Sequence, residues 1–277
     1  METKNELMLD FSRAVVMEAV SFTRDHGFRP VTERKEDKTI VTVVDRAIEA
    51  KILDGIAATF PGHAVIAEES HSVPGAIVQA RDSRYCWVLD PLDGTRNFVT
   101  GFPCFATSIA VLDRGVPVVG VIVEHNLGHT YWAVRGGGAF VNEQRIRAED
   151  PGPGQDWLVG VGSNKDALTM QVVRNWVGAQ GLILRNTGST AFHLALVARG
   201  SLAGAFCKQC KIWDIAAGAL LVREAGAVFT DPRGKDLLPF DLTRDPAENI
   251  PFLAGAKGCH ETLLRGIDDD GFSDIPY

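Results

Sequence analysis

The chain reads as an α+β N-terminal half with an antiparallel meander sheet, followed by an α/β C-terminal half, and two features of its 277 residues lead there. Strand-like runs at 107–112, 116–124 and 130–134 are separated only by Asp113-Arg114-Gly115 and Asn126-Leu127-Gly128, turn chemistry that suits antiparallel neighbours. Further on, strand-like runs at 157–161, 182–184, 202–206 and 227–230 alternate with helical runs at 167–177, 191–198 and 215–225, the pattern of layered α/β structure. Pro151-Gly152-Pro153-Gly154 is the one clear linker candidate and divides 1–150 from 151–277.

Spacing predicts the earlier elements. Leu7, Phe11, Ala14, Val15, Ala19 and Phe22 recur at helical intervals, so an amphipathic helix opens the chain and stops at His26-Gly27. Residues 40–44 are β-branched and read as an extended strand. Asp45 then precedes a second helix, with Ile48, Ile52, Ile56 and Phe60 at steps of four and Pro61-Gly62 as its stop. The apolar runs 64–67 and 86–89 have the length of buried strands. A cleft between the two halves is the natural place for a site.

Composition narrows the function classes. A 45% hydrophobic, 23% charged chain of this length buries roughly 75% of its unfolded surface, enough to fold without disulfides or a structural metal. Lys and Arg number 28 against 35 Asp and Glu, a formal net charge of −7 with no basic run, which argues against nucleic acid as a partner. The same balance repels a phosphorylated metabolite unless a bound cation reverses the sign locally. The first residues lack the apolar core of a secretory signal, and the apolar stretch 116–123 contains Pro117 and Gly120 and is too short to span a bilayer. No membrane association is expected. Five cysteines, an odd number, are expected as reduced thiols in the cytoplasm.

The chemistry concentrates in Trp87-Val88-Leu89-Asp90-Pro91-Leu92-Asp93-Gly94-Thr95-Arg96-Asn97-Phe98. An apolar strand runs into Asp90, Pro91 is expected to end the ladder, and Gly94 permits a tight turn before a helix at Thr95. Two carboxylates three residues apart at a strand end repel each other, and a hard divalent cation relieves that repulsion. Backbone N–H groups at the helix start suit phosphate oxygens. A simple turn with aspartate caps is the competing reading. Glu68 and Glu69 follow the strand 64–67, again at a C-terminal end. Asp45 and Asp214 each stand at a helix start, where N-capping is the alternative role.

Val65-Ile66-Ala67-Glu68-Glu69-Ser70, the 87–98 segment and Trp213-Asp214-Ile215-Ala216-Ala217-Gly218 together resemble the signature set of the inositol monophosphatase family, in order and spacing from about Lys35 to Asp231. Val41-Thr42-Val43-Val44-Asp45-Arg46 and Gly188-Ser189-Thr190-Ala191 resemble two further segments of that family. The resemblance implies a layered αβαβα sandwich of the sugar-phosphatase type and a homodimeric, lithium-sensitive phosphatase. It also implies two or three Mg2+ ions per site. Glu68, Asp90 and the Leu92 carbonyl would hold the first and Asp90, Asp93 and Asp214 the second, with a weaker third near Glu68. By the same resemblance Thr95, hydrogen-bonded to Asp45, helps orient the attacking water beside Glu68, and Gly94 and Thr95 receive the phosphate. Asp93, Gly188, Ser189, Thr190, Cys207 and Asp214 would contact the substrate, and Glu69 has the lesser part of its pair.

Energetics agree with a metal cluster. Enzymes accelerate phosphate-monoester hydrolysis by up to ~10²¹-fold, of which a general base supplies only about 10²–10⁴. Metal ions that steady the attacking and leaving oxygens can supply more. The expected partner is therefore a small phosphorylated metabolite. In inositol-selective members of the family a glutamate stands seven residues before the last metal aspartate. Here that residue is Cys207, a poor acceptor for hydroxyls, and Arg96 stands where a second threonine is common. Inositol-1-phosphate is the default ester, with histidinol phosphate, fructose-1,6-bisphosphate and adenosine 3′,5′-bisphosphate as alternatives.

Two readings from other classes stand beside this one. One is a phosphate-binding protein without turnover, and the other a redox or zinc protein built on Cys207-Lys208-Gln209-Cys210. With no second pair, that Cys-x-x-Cys reads better as reduced thiols. His125 and His129 are expected on a solvent-exposed turn, and Lys35, Asp37 and Lys38 in a charged flap near the cleft.

Overall fold

The computed structural model describes residues 3–26, 32–34, 40–70, 76–152, 155–178 and 181–267. Chain order begins α1 (Lys4–His26), β1 (Thr32–Arg34), β2 (Ile40–Thr42), α2 (Val43–Thr59), β3 (Ala64–Ala67), α3 (Ala76–Asp82), β4 (Tyr85–Asp93) and α4 (Thr95–Thr100). The meander follows as β5 (Ala106–Asp113), β6 (Val116–Glu124), β7 (His129–Val134), β8 (Gly138–Val141) and β9 (Gln144–Ile146). Then come β10 (Trp157–Val161), α5 (Ala167–Gly178), β11 (Leu182–Arg185), α6 (Thr190–Arg199), β12 (Gly204–Cys207), α7 (Ile212–Glu224), β13 (Val228–Thr230), β14 (Phe252–Gly255) and α8 (Lys257–Arg265).

Seven strands form one sheet in the order β3-β4-β5-β6-β7-β8-β9, antiparallel except where β3 lies parallel to β4. Five form a mixed sheet, β11-β10-β12-β14-β13, in which β10 pairs parallel with β11 and β12. The alternation of side chains sets the layers. α1 and α2 cover one face of the large sheet, burying Met8, Val16, Ile48 and Ile52 with Trp87, Leu89 and Val121. Val88, Ala110 and Ile122 on the other face meet α6 and α7, which also pack on Ala205 and Ala254 of the small sheet. α5 and α8 close that sheet from outside, with Leu168, Trp176 and Leu263 against Val159 and Phe206. This is the αβαβα sandwich. No helix among the described residues is long and apolar enough to cross a membrane.

Several local expectations are corrected. The buried stripe of α1 is Met8, Leu9, Ser12, Val15, Val16, Ala19, Val20 and Thr23, while Leu7 and Ala14 face outward. Ser12 is accommodated because its hydroxyl donates to the Met8 carbonyl at 2.8 Å. β2 ends at Thr42 because that side chain caps α2, accepting from the N–H groups of Val44 at 3.1 Å and Asp45 at 3.3 Å. Asp45 and Asp214 are therefore not N-caps; each lies three residues inside its helix. β4 runs through Pro91 to Asp93, its ladder shifting register instead of ending. His125 is buried and His129 half-buried, not solvent-exposed. Pro153, Gly154 and the flap residues Lys35, Asp37 and Lys38 lie outside the described residues.

Small residues let the central layers approach. A Cβ at Gly120 on β6 would stand 2.9 Å from the Ala217 carbonyl of α7, and one at Gly218 would stand 2.5 Å from Leu194 of α6. At Gly120 the obstacle is backbone, which cannot rotate away. Gly120→Val is expected to cost about 1–3 kcal/mol by overpacking. Urea unfolding should show a lower midpoint with an unchanged slope, and an unchanged midpoint would contradict this packing.

Candidate metal centre

In an unbroken strand, residues 90 and 93 face opposite ways. Along β4, Cys86 and Val88 join the core beneath α6 and α7, whereas Trp87 and Leu89 join that beneath α1 and α2. The ladder with β5 pairs Asp90 with Ser108 and Asp93 with Ala106, so Pro91 and Leu92 together oppose Thr107 alone. This is a bulge, and its extra residue reverses the alternation. Leu92 falls in with Trp87 and Leu89. Asp93 turns to the side of Asp90, where Asp214 from the first turn of α7 meets both. One carboxylate oxygen from each of the three lies within 4.8 Å of the others.

Each carboxylate is held through an oxygen, Asp90 and Asp214 by the local backbone and Asp93 by the start of α6. Asp90 accepts from the Leu92 N–H at 2.9 Å. Asp93 accepts from the Ser189 hydroxyl at 2.7 Å and the Ala191 N–H at 2.6 Å, docking it on the start of α6. Asp214 accepts from the Lys211 N–H at 2.7 Å, bonding back to the residue that precedes its helix. Asp45 does the same on α2, accepting from the Thr42 N–H at 2.8 Å, which leaves its other oxygen for the Thr95 hydroxyl at 3.0 Å. Thr95 Oγ1 also lies 3.0 Å from the Leu92 carbonyl. Glu68, at the end of β3, bonds through its N–H to the Leu89 carbonyl at 3.2 Å, and its carboxyl is in hydrogen-bonding contact with that of Asp90.

Burial pushes the Asp90 carboxyl well above the usual aspartate range, and the charges of Glu68, Asp93 and Asp214 push the same way. Asp214 is raised by burial first and by Asp93 and Glu68 next. Asp93 is pushed up to about 7 by burial, against hydrogen bonds from Ser189 and Ala191 that pull it down. Asp45 is raised by burial too, opposed by its bonds to Thr42 and Thr95. Among the described residues no cationic side chain is ion-paired to Asp90, Asp93 or Asp214. A like-charged, carboxylate-only cluster of this kind fits a hard cation such as Mg2+.

The other predicted residues surround this cluster. Gly94 caps α4 with φ 91°, and a Cβ there would stand 2.9 Å from the Cys104 carbonyl, so the turn requires glycine. Gly188, at φ 76°, packs against the Asn97 side chain. Ser189 caps α6 while donating to Asp93, and the Thr190 N–H bonds Asp93 as well. Cys207 and Cys210 are free, buried thiols, and Cys207 bonds the Thr190 and Cys210 side chains. Glu69 donates its N–H to buried Glu49 at 2.8 Å.

Sequence reading missed two structural partners. Asn97 donates to the carbonyls of Cys104 and Thr187, at 2.5 Å and 2.7 Å, tying α4 to the loop before α6. His125 reaches the bulge itself. An asparagine two residues after Gly94-Thr95 was the only available signal for the first, and nothing local signalled the second.

Comparison with known proteins accords with this geometry. Residues 5–268 match the inositol monophosphatase family. A Nus factor SuhB from Haemophilus influenzae is 38% identical over 195 residues, covering 69% of this chain and 71% of that one. A fructose-1,6-bisphosphatase/inositol-1-monophosphatase from Aquifex aeolicus is 32% identical over 238 residues, covering 84% of this chain and 83% of that one. The crystal structure of extragenic suppressor protein suhB from Bartonella henselae shares the fold with a TM-score of 0.84 at 30% identity, covering 96% of this chain and 100% of that one. With the family matched along nearly the whole sequence and its carboxylates gathered at one sheet end, the chain belongs to the inositol monophosphatase family.

Proposed function

We propose that this chain is a Mg2+-dependent phosphomonoesterase acting on a small phosphorylated metabolite, with inositol-1-phosphate the first ester to test. The convergence of Asp90, Asp93 and Asp214 carries the reading. These three would hold one ion, and Glu68, Asp90 and the Leu92 carbonyl another. Bound there, Mg2+ acidifies a water and offsets charge on the phosphoryl group.

The protein's own groups do the positioning. Thr95 Oγ1 has its proton directed to Asp45 or to the Leu92 carbonyl, which leaves a lone pair as acceptor for a proton of the attacking water. Asp45, raised by burial, is the group to which the proton can pass on. Glu68 holds that water from the neighbouring strand. The N–H groups of Gly94 and Thr95 precede the first helical bond of α4 and are donors for the phosphate oxygens. Gly188, Ser189, Thr190 and Cys207 line the substrate side.

A thiol at 207 weakens the case for a polyol, which keeps histidinol phosphate open, and the name of the Aquifex aeolicus relative keeps fructose-1,6-bisphosphate open. One relative is named as a Nus factor, but the joint presence of Glu68, Asp90, Asp93, Thr95 and Asp214 favours turnover. Lithium sensitivity, a homodimer and a cytoplasmic location complete the reading.

Asp93→Asn is expected to leave the fold intact and cut phosphate release about 10³-fold at saturating Mg2+, the scale of losing a transition-state charge partner. Rates near wild type would refute the assignment. The same substitution removes the Asp93 titration, together with the Asp93 charge that helps to raise Asp90 and Asp214. With Asp93 at about 7 in the fold and about 3.9 in the unfolded chain, its neutral form stabilises the metal-free protein; that contribution is full below pH 4 and lost as pH rises through 7. In EDTA, the melting temperature of Asp93→Asn relative to wild type should therefore climb from pH 5 to pH 7 and then level off. Taking the difference cancels the buried His125 and His193, whose pKa values are lowered by burial and which act in the opposite direction. A flat difference would contradict the burial of Asp93. At saturating Mg2+ wild type should melt higher than Asp93→Asn.

A further inference from the structure

His125, which has no part in the proposed reaction, reaches the bulge through neighbours on two other elements. It follows β6 and lies 3% exposed beside Phe105. Its Nδ1 is 2.8 Å from the Thr23 hydroxyl on α1, and its Nε2 is 2.9 Å from the Thr107 hydroxyl on β5. Thr107 Oγ1 in turn lies 2.8 Å from the Pro91 carbonyl. All of these side chains are buried.

Counting protons gives the chain a direction. A carbonyl can only accept, so the single Thr107 proton points at Pro91 and Thr107 must accept from the imidazole. The imidazole therefore carries its proton on Nε2, and Nδ1 is an acceptor. The Thr23 proton has two acceptors within reach, His125 Nδ1 and the Val20 carbonyl at 2.9 Å. Val20 already serves the helical N–H four residues on, so every group is satisfied when Thr23 donates to His125. Three hydrogen bonds then run one way, from α1 to Pro91. Burial lowers His125 to about 3, which keeps the ring in the neutral form this pattern needs.

Pro91 is one of the two bulge residues set against Thr107, and it has no register partner on β5. Its carbonyl is held by the Thr107 hydroxyl, and that hydroxyl is aimed by His125. We infer that His125 is a positioning residue: by fixing Thr107 on the Pro91 carbonyl it holds the bulge that turns Asp90 and Asp93 to one side, and so sets the affinity of the cluster for Mg2+. The inference rests on the proposed Mg2+ reading of that cluster and concerns affinity, not substrate.

The test is a Mg2+ titration of the melting temperature of the full chain, which reads binding without turnover. His125→Leu removes both ring nitrogens, whereas His125→Gln keeps an N–H at the reach of Nε2. Wild type should show a saturable rise. His125→Leu should need about 10–100-fold more Mg2+ for half of the rise, as when a metal ligand loses an outer support, and His125→Gln should stay within about threefold of wild type. Thr107→Val, which removes the hydroxyl at nearly constant shape, should shift the midpoint as His125→Leu does and serves if His125→Leu does not fold. Equal Mg2+ midpoints in all variants, even with lower melting temperatures, would reduce His125 to packing and overturn the inference. A His125→Gln midpoint as weak as that of His125→Leu would overturn the hydrogen-bond chain. No Mg2+-dependent rise in wild type would instead remove the metal site itself, and with it this inference.

Discussion

Three carboxyl groups with an oxygen each within 4.8 Å of the others, and no cationic side chain ion-paired to them among the described residues, repel whenever they are ionised together, so that without a metal they hold on to protons. Much of the surrounding structure serves to hold that repulsion in place. The bulge in β4 is the central device. Without an extra residue at Pro91-Leu92, Asp93 would point into the layer of α1 and α2, and the cluster would lose a member. With it, one strand supplies two acidic side chains to the same side, and α7 brings the third.

The same constraint explains how the helices enter. Asp45 and Asp214 stand at corresponding places in α2 and α7, each bonding back to the N–H of the residue before its helix. One oxygen of each is anchored in this way, and the other is left for the site. Asp93 is anchored across the layers instead, by the start of α6, which requires that α6 lie close to β4. Gly120 and Gly218 permit that approach by letting α7 settle on β6 and α6 on α7. Packing of the central layers and the geometry of the cluster are therefore linked.

Much of this was legible in the sequence. The meander, the alternation in the second half and the strands before Glu68 and Asp90 are periodic or turn-punctuated, and the fold shows them within a few residues. The acidic positions stood at strand ends and helix starts. β1, β8, β9 and β14 were not seen, because runs of three or four residues carry too little pattern. Proline misled at 91, where it marks a bulge in a central strand instead of its end. The helical stripe of α1 was misread by one step because Ser12 and Thr23 are buried with their hydroxyls bonded to helix carbonyls, which an apolar count cannot register. His125 was expected on an exposed turn because Asn126 and Gly128 stand beside it, yet its partners Thr23 and Thr107 are distant in sequence.

Anomalous diffraction from crystals soaked in Mn2+ addresses the acidic cluster most directly, since it locates a hard cation without assuming a substrate. A peak is expected between the carboxylates of Asp90, Asp93 and Asp214, with a second beside Glu68 and the Leu92 carbonyl. A map at saturating Mn2+ with no peak against any of these oxygens would contradict the metal reading of the cluster.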